Sequence, residues 1–470
     1  MAEQGTGRPV RVILTTVLAV LIPAGLLAGC TASPSTHATA PPAATLTSAA
    51  AQPSVATPSA SPTSPSPSPS PTIPSAAPSS ASPSPSHPAT RPAATDLNDL
   101  LAQLSAAIRH DRRPDFLALV SSQDPGFTST AGMIFDNLHA IDPSDFSLKA
   151  TGSRRDLSKA RTSVLGRNGY AAQVQVTWSV PGDRAPSSQQ VWMTIDKVGH
   201  GFRWAGVTDG PPGPRPTPLW WLEPVDYDHS GAVTIIAGDG IDARNWAVAA
   251  NTAVAKDVPK LRAADWNHRL VIIVPSNERL LEQSMGAARG ADSALAGITW
   301  PDGGKPAAAP IRIMINANGQ PNSLATSIVL AHEAVHVATR SPISPAPTWL
   351  VEGYADYIAY LSYPQGAQAA ATDLLSEVKR NGPPRTLPSE SDFGAQHPDL
   401  NRTYAEAWSV CRYLAEQYGS AKLWKFYQAV DKSPDGSIAG PARSAFGISQ
   451  HQVITGWQQH LRKAVHQGRI

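Results

Sequence analysis

NSLATSIVLAHEAVHVAT, residues 322–339, is the stretch on which the reading of this chain turns. Leu324, Ile328, Ala331 and Val335 recur at helical spacing, so a buried helix starting near Asn322 or Ser323 is predicted. Inside it stand His332, Glu333 and His336. Residues four apart on an α-helix differ by about 40° around the axis and ~6 Å along it, so both imidazoles point to one side and can share a cation. Glu333 stands one step round the helix, beside that cation.

Two histidines are too few for a catalytic zinc, which takes three protein ligands and leaves a fourth position to water. The stretch WLVEGYADY, residues 349–357, is reached through Pro345 and Pro347 and reads as a second helix. It offers Glu352, sixteen positions beyond His336. Asp356 follows one turn later on the same face, where it can accept the outer N–H of a liganding histidine and fix its tautomer.

These two motifs resemble those of the gluzincin metallopeptidases, whose zinc ligands are two histidines and a downstream glutamate. Residues 349–357 resemble the Trp-Leu-x-Glu-Gly-Phe-Ala motif of the aminopeptidase branch, and the pair Glu352 and Asp356 is similar to the ligand and orienting carboxylate of the thermolysin-like branch. The resemblance spans roughly residues 233–465 and is sharp at 332–357. It implies a zinc ion (Zn2+) on His332, His336 and Glu352, with Glu333 as base. Zinc in such a site lowers the pKa of its water toward ~7 and polarises a carbonyl, while the glutamate takes a proton and returns it to the leaving amine.

By the same resemblance, Ile311–Asn316 corresponds to the edge strand that pairs with extended substrate, which implies a peptide. Tyr404, at the start of a helix read as Thr403–Tyr418, matches the tyrosine that stabilises the transition state. His397 is a second candidate for that role, and a packing role at a helix boundary is the alternative for Tyr404. The spacer between His336 and Glu352 is shorter than in thermolysin or the aminopeptidases, and no separate amine-binding glutamate motif precedes it. Aminopeptidase specificity is therefore not carried over.

Upstream, residues 1–30 carry Arg8 and Arg11 followed by a mostly apolar run from Val12 to Ala28, the pattern of a signal peptide. The run closes Leu26-Leu27-Ala28-Gly29-Cys30, which resembles the bacterial lipobox; the resemblance implies that Cys30 is diacylated on sulfur and becomes the first residue of the mature chain. A retained membrane helix is the alternative, although the run is at the short edge of the ~17–25 residues that a span needs. The expected location is the extracytoplasmic face of the cell membrane, with a lipid anchor.

Residues 31–95 are almost entirely Pro, Ser, Thr and Ala, with no apolar face to bury, and read as a disordered stalk. Partly extended, it reaches on the order of 100–200 Å. With Cys30 acylated, Cys411 is the remaining cysteine, so no internal disulfide forms. Cys411 shares a helical face with Ala407, Leu414 and Tyr418, which favours a buried thiol over a nucleophile. The formal net charge is +2, and the basic pairs Arg112-Arg113 and Arg154-Arg155 are short and each followed by an aspartate, which speaks against nucleic acid as a partner.

Two globular regions follow the stalk, and the expected class is α+β. Residues 96–207 open with a helical pattern (Leu97, Leu100, Leu101, Leu104, Ile108) and turn to alternating strands, Val174-Val176-Trp178-Val180 and Val191-Met193-Ile195. A helix followed by a curved antiparallel sheet is similar to the nuclear-transport-factor-like superfamily, whose concave sheet often holds a ligand; without a polar constellation a spacer role is favoured here. Residues 208–232 read as a linker, with a Pro and Gly cluster and a loop around Tyr227-Asp228-His229. Residues 233–470 read as the metallopeptidase region: a small sheet with strands at Leu270–Val274 and Ile311–Ile315, then nearly all helix. Three functions are carried forward: a peptidase acting on peptides or proteins outside the membrane, a zinc-containing scaffold with lost or weak turnover, and a ligand-binding lipoprotein working through residues 96–207. Oligomeric state is not encoded in any motif of the chain.

Overall fold

The computed structural model describes residues 13–15 and 94–470, apart from 258–259, 262, 264–265, 291–295, 304–307, 317–319 and 395–396. Cys30, the leader other than residues 13–15, and the stalk as far as residue 93 lie outside the described residues. The described chain is α+β, with two sheets. Among the described residues, no helix is long and apolar enough to cross a membrane.

Residues 13–15 form a short strand, β1 (Ile13–Thr15). The region after the stalk opens with α1 (Leu97–Arg109), started by Asp96, whose side chain accepts from the Asp99 N–H. Leu97, Leu100, Leu101 and Leu104 are all buried, as their spacing predicts. Helices α2 (Arg113–Leu117) and α3 (Pro125–Ile141) follow, then β2 (Ser144–Asp156), α4 (Lys159–Leu165), β3 (Tyr170–Ser179), β4 (Ser187–Val198) and β5 (Gly201–Gly206). These four strands make an antiparallel sheet in the order β2-β3-β4-β5, with Val174 opposite Val191. The inner face of this sheet is filled by indoles. Trp178, Trp204, Trp220 and Trp221 pack edge to face or tilted around one another, and the space left beside Trp178 and Trp220 is about 10 Å³, room for about one water.

Two corrections fall between residues 208 and 232. The proposed linker contains α5 (Leu219–Leu222), whose Trp220 and Trp221 are buried, and the proposed loop around Tyr227 is the edge strand β6 (Val225–Ser230). The prolines from Pro211 to Pro218 mask the first, and β6 has no buried residue to give it an alternating pattern.

The central sheet is built from β6, β7 (Val233–Gly238), β8 (Leu270–Val274), β9 (Gly297–Pro301) and β10 (Ile311–Ile315), with α6 (Ala243–Asp257) and α7 (Glu278–Met285) between strands. Its order is β1-β9-β10-β8-β7-β6, with β7, β8 and β10 parallel. Every residue of β7 and β8 is buried, the signature of parallel strands covered on both faces. Ile235, Ile272, Val274, Ile313 and Ile315 pack into one core with α6 and α8 (Leu324–Thr339). The alternate residues Ile236, Val271, Ile273 and Met314, with Ile298, belong to the other core with Trp178 and Trp220. The region read as a spacer thus covers one face of the sheet that carries α8, with His332 and His336, on its other face. A third correction concerns the edge: β10 is an interior strand between β9 and β8, and β9 is the strand whose outer side meets β1.

An ionic knot pins the two sheets together. Arg312 of β10, fully buried, reaches Asp183 in the β3–β4 connection (Nε to Oδ1, 3.1 Å) and Asp302 just after β9, with its guanidinium 4.1 Å over the Trp178 ring. Ser187 and Gln189 of β4 donate to Asp302. Burial works against the charge on Arg312, and the two aspartates outweigh it, raising its pKa.

The rest is helical: α9 (Thr348–Ser362), α10 (Pro364–Asn381), α11 (Leu400–Tyr418), α12 (Ser420–Asp431), α13 (Ala439–Phe446) and α14 (Gln450–Gln467). Helices α9 and α11 meet at Gly353, where a Cβ would stand 2.2 Å from the Ala407 carbonyl oxygen. Only glycine permits that approach. Cys411 lies beneath the same contact, fully buried, and burial pushes its thiol pKa well up, as expected of a structural thiol.

Candidate metal centre

Helix α8 starts at Ser323, whose hydroxyl accepts from the Thr326 N–H, and ends at Arg340 in the left-handed region, φ 54°. It is buried nearly all round, which holds His332, Glu333 and His336 in fixed positions between α9 and the central sheet. Helix α9 follows Pro347 and brings Glu352 and Asp356 onto the face that looks at the two histidines.

The three proposed ligands converge. Nε2 of His332 and Nε2 of His336 are 2.9 Å apart, Glu352 Oε2 is 3.0 Å from the first and 3.4 Å from the second, and all three donor atoms lie within 4.8 Å of one another. Zinc–ligand bonds of ~2.0–2.1 Å in a tetrahedron place the ligand atoms ~3.3 Å apart, so this triangle fits one such ion with little adjustment. The atoms left over point the same way: Glu352 Oε1 and Glu333 Oε1 are buried acceptors with no hydrogen-bond partner among the described residues. Buried acceptors without donors are costly, and a cation with its water would meet both needs.

Asp356 Oδ1 lies 2.8 Å from His332 Nδ1. That pairing fixes a proton on Nδ1 and turns Nε2 toward the other two donors, where a metal would displace the second proton. His336 Nδ1 has no such partner among the described residues, so one histidine of the pair has a carboxylate on its outer nitrogen and the other does not. Burial opposes protonation of His332, but Asp356 and Glu352 outweigh it and raise its pKa well above the usual imidazole range. Burial would raise Glu352, and the two imidazoles instead bring it down to about 2, so it is a carboxylate at any physiological pH.

Glu333 is fully buried, and burial raises its pKa. Its Oε2 accepts from the Thr299 hydroxyl at 2.5 Å, a partner on β9 that the sequence reading did not include. Its other oxygen is the orphan. A carboxylate steadied on one side and unpaired on the other is arranged to hold and pass a proton on the unpaired side. Gly297, two residues before Thr299, brings β9 onto α8: a Cβ there would meet Val329 Cγ1 at 2.8 Å and Glu333 Cγ at 3.3 Å. The only local signal for this strand is the short Ile298-Thr299-Trp300 run of β-branched and aromatic residues, bounded by Gly297 and Pro301.

The two candidates for stabilising a developing oxyanion stand differently. Tyr404 is buried in the first turns of α11, which begins at Leu400 rather than Thr403, and its ring stands edge-on to Phe393 with centroids 5.3 Å apart. His397 lies in the preceding loop, where its Nδ1 accepts from the Asp399 N–H and its Nε2 is 3.9 Å from Asp392. The geometry thus joins His332, His336, Glu352, Asp356 and Glu333 into one site, while the described ring contact of Tyr404 is with Phe393. No protein-family model, curated protein or solved structure matches the chain.

Proposed function

We propose that this chain is a zinc-dependent peptidase held to the outer face of the cell membrane through a lipid on Cys30, with a region of gluzincin type following a nuclear-transport-factor-like region. The observation that carries the reading is the meeting of His332, His336 and Glu352 from two helices at the spacing of one ion, with Glu333 beside them. Three protein donors rather than four leave a coordination position for water, the feature that separates catalytic from structural zinc sites. Zinc bound there would supply an acidified water and a Lewis acid for the substrate carbonyl.

The chain's own residues account for the rest. Asp356 orients His332. Thr299 holds one oxygen of Glu333 so that the other faces the site, where Glu333 takes a proton from the attacking water and delivers it to the leaving amine. β9, adjacent to Glu333, has its outer edge paired by Ile13–Thr15, and removal of the leader would free that edge for an extended peptide backbone. Tyr404 is retained as a candidate oxyanion donor on resemblance alone.

The scaffold alternative draws on the burial of the triad, each member at most 1 % exposed. Against it stand the lack of a fourth protein ligand among the described residues and the orphaned Glu333 oxygen. Elemental analysis of the purified chain should give one zinc per molecule, and an unstructured protein should be cleaved in a chelator-sensitive way. Glu333→Gln should keep the zinc and lose about 10²–10⁴-fold in turnover. A folded chain without stoichiometric zinc, or cleavage untouched by Glu333→Gln, would remove the peptidase reading.

A further inference from the structure

The short strand on the edge of the central sheet shows how that edge receives a guest. Ile13 stands opposite Thr299, Leu14 opposite Ile298 and Thr15 opposite Gly297, antiparallel to β9. This register fixes a direction. In any segment bound in the same sense, the residues preceding the one opposite Thr299 run on toward Trp300 and Pro301.

At that end β9 gives onto a groove of about 980 Å³, lined by Trp300, Pro301, Gln173, Gln175, Gln190 and Arg215. The glutamines lie on the outer face of the β3–β4 pair, opposite the face that packs against the indoles. Gln190 and Arg215 also line a second trough of about 820 Å³, which adds Arg155, Arg279 and Trp192. The two spaces share these residues, so they join into one surface leading away from the metal centre across the four-stranded sheet. Gly303 makes the junction close: its φ is +81°, and a Cβ would stand 2.5 Å from the Ser188 carbonyl oxygen.

The chemistry changes along this surface. Its first part carries amide side chains, with Gln173 Nε2 donating to Gln190 Oε1 at 2.9 Å, and amides suit the donors and acceptors of a peptide backbone. Its second part is basic. Arg155 and Arg279 are exposed, and neither forms an ion pair with any described residue, while the hydrogen bonds of Arg215 go to the backbone carbonyls of Pro211 and Pro212. Three guanidinium groups without carboxylate partners favour an anionic guest.

We propose that an extended polypeptide paired with β9 sends the residues on the N-terminal side of the reacting bond across the glutamine face, and that Arg155, Arg215 and Arg279 select acidic side chains there. The substrate class is then an acidic polypeptide read at positions upstream of the bond, and residues 94–206 form part of the binding surface. This inference rests on the peptidase reading for the identity of the reacting bond.

The test separates binding from cutting. The lipid-bearing chain that begins at Cys30, and so lacks Ile13–Thr15 on the β9 edge, carrying Glu333→Gln, purified in detergent and loaded with zinc, is titrated into labelled synthetic peptides that share one core sequence and differ in an acidic, neutral or basic N-terminal extension. Fluorescence anisotropy should show the acidic extension binding about tenfold tighter than the neutral one, and the basic extension weakest. Adding Arg155→Glu and Arg279→Glu, both at exposed positions, should invert that order without moving the melting temperature. The same acidic extension placed on the C-terminal side of the core should bring no gain. Equal affinities for the three peptides, an acidic preference that survives the double reversal, or an equal gain from the C-terminal extension would overturn the proposal. Cleavage of the same peptides by the chain with Glu333 in place is scored separately. Charge-ordered binding without any chelator-sensitive cut would leave the surface standing and remove the chemistry.

Discussion

Two buried ionic clusters lie on opposite faces of the central sheet, and they are closed in different ways. Around Arg312 the chain supplies its own cation: one guanidinium meets Asp183 and Asp302, and Ser187 and Gln189 fill further oxygens, leaving Gln189 Oε1 as the unpartnered atom. Around His332 there are three carboxylates, Glu333, Glu352 and Asp356, and two imidazoles, with Glu333 Oε1, Glu352 Oε1 and His336 Nδ1 unpartnered. No lysine or arginine pairs with this second group among the described residues. A buried cluster that balances its own charge is a fastening, whereas one with surplus acceptors and no cation calls for an ion from outside.

The largest effect should come from opening the balanced cluster. Arg312→Met strands two buried aspartates and should cost about 3–5 kcal/mol in urea unfolding, while zinc content per folded molecule stays the same. A variant as stable as the parent would mean that the knot holds nothing. Next, Asp356→Ala removes the support of one histidine in the unbalanced cluster. Competition with a chelator should show zinc affinity falling about 10–100-fold with only a small change in the unfolding curve of the zinc-free chain. An unchanged affinity would detach Asp356 from the metal.

The smallest effect sharpens the comparison with a third, partly exposed group. Burial first, and then Asp392, Glu377 and Asp399, push Glu406 up to about 7 against the pull of Arg402. A folded-state pKa above the unfolded value of 4.5 means that its contribution to stability is complete below that value and is lost as pH rises through about 7. Between about pH 5 and 8 the chain should lose on the order of 1–2 kcal/mol, and Glu406→Gln should flatten that slope in melts taken across the range. An identical slope in the variant would place the titration elsewhere.

What was legible in the sequence was local. The helical spacing of His332, Glu333 and His336, the one-turn offset of Glu352 and Asp356, and the alternation in β3 and β4 each sit within a few residues, and geometry turns them directly into a shared face. Thr299 was not legible, because its strand is five residues long, bounded by Gly297 and Pro301, and acquires its role only by lying on α8. The Arg312–Asp183 pair spans 129 positions and gives no local signal. The interior place of β10 is equally hidden, because order along the chain does not reveal order across a sheet. The indole-filled face of the four-stranded sheet, in place of an open ligand cavity, likewise depends on Trp220 arriving from a segment that reads as a proline-rich linker.

The sharing of the central sheet between two cores has a consequence for how the chain comes to be folded. Residues 94–206 emerge first during synthesis, and Trp178 has neither Trp220 nor Arg312 against its ring until α5 and β10 follow. For that interval the early part of the molecule carries an uncovered indole face, which stays open to wrong partners until the later strands close over it.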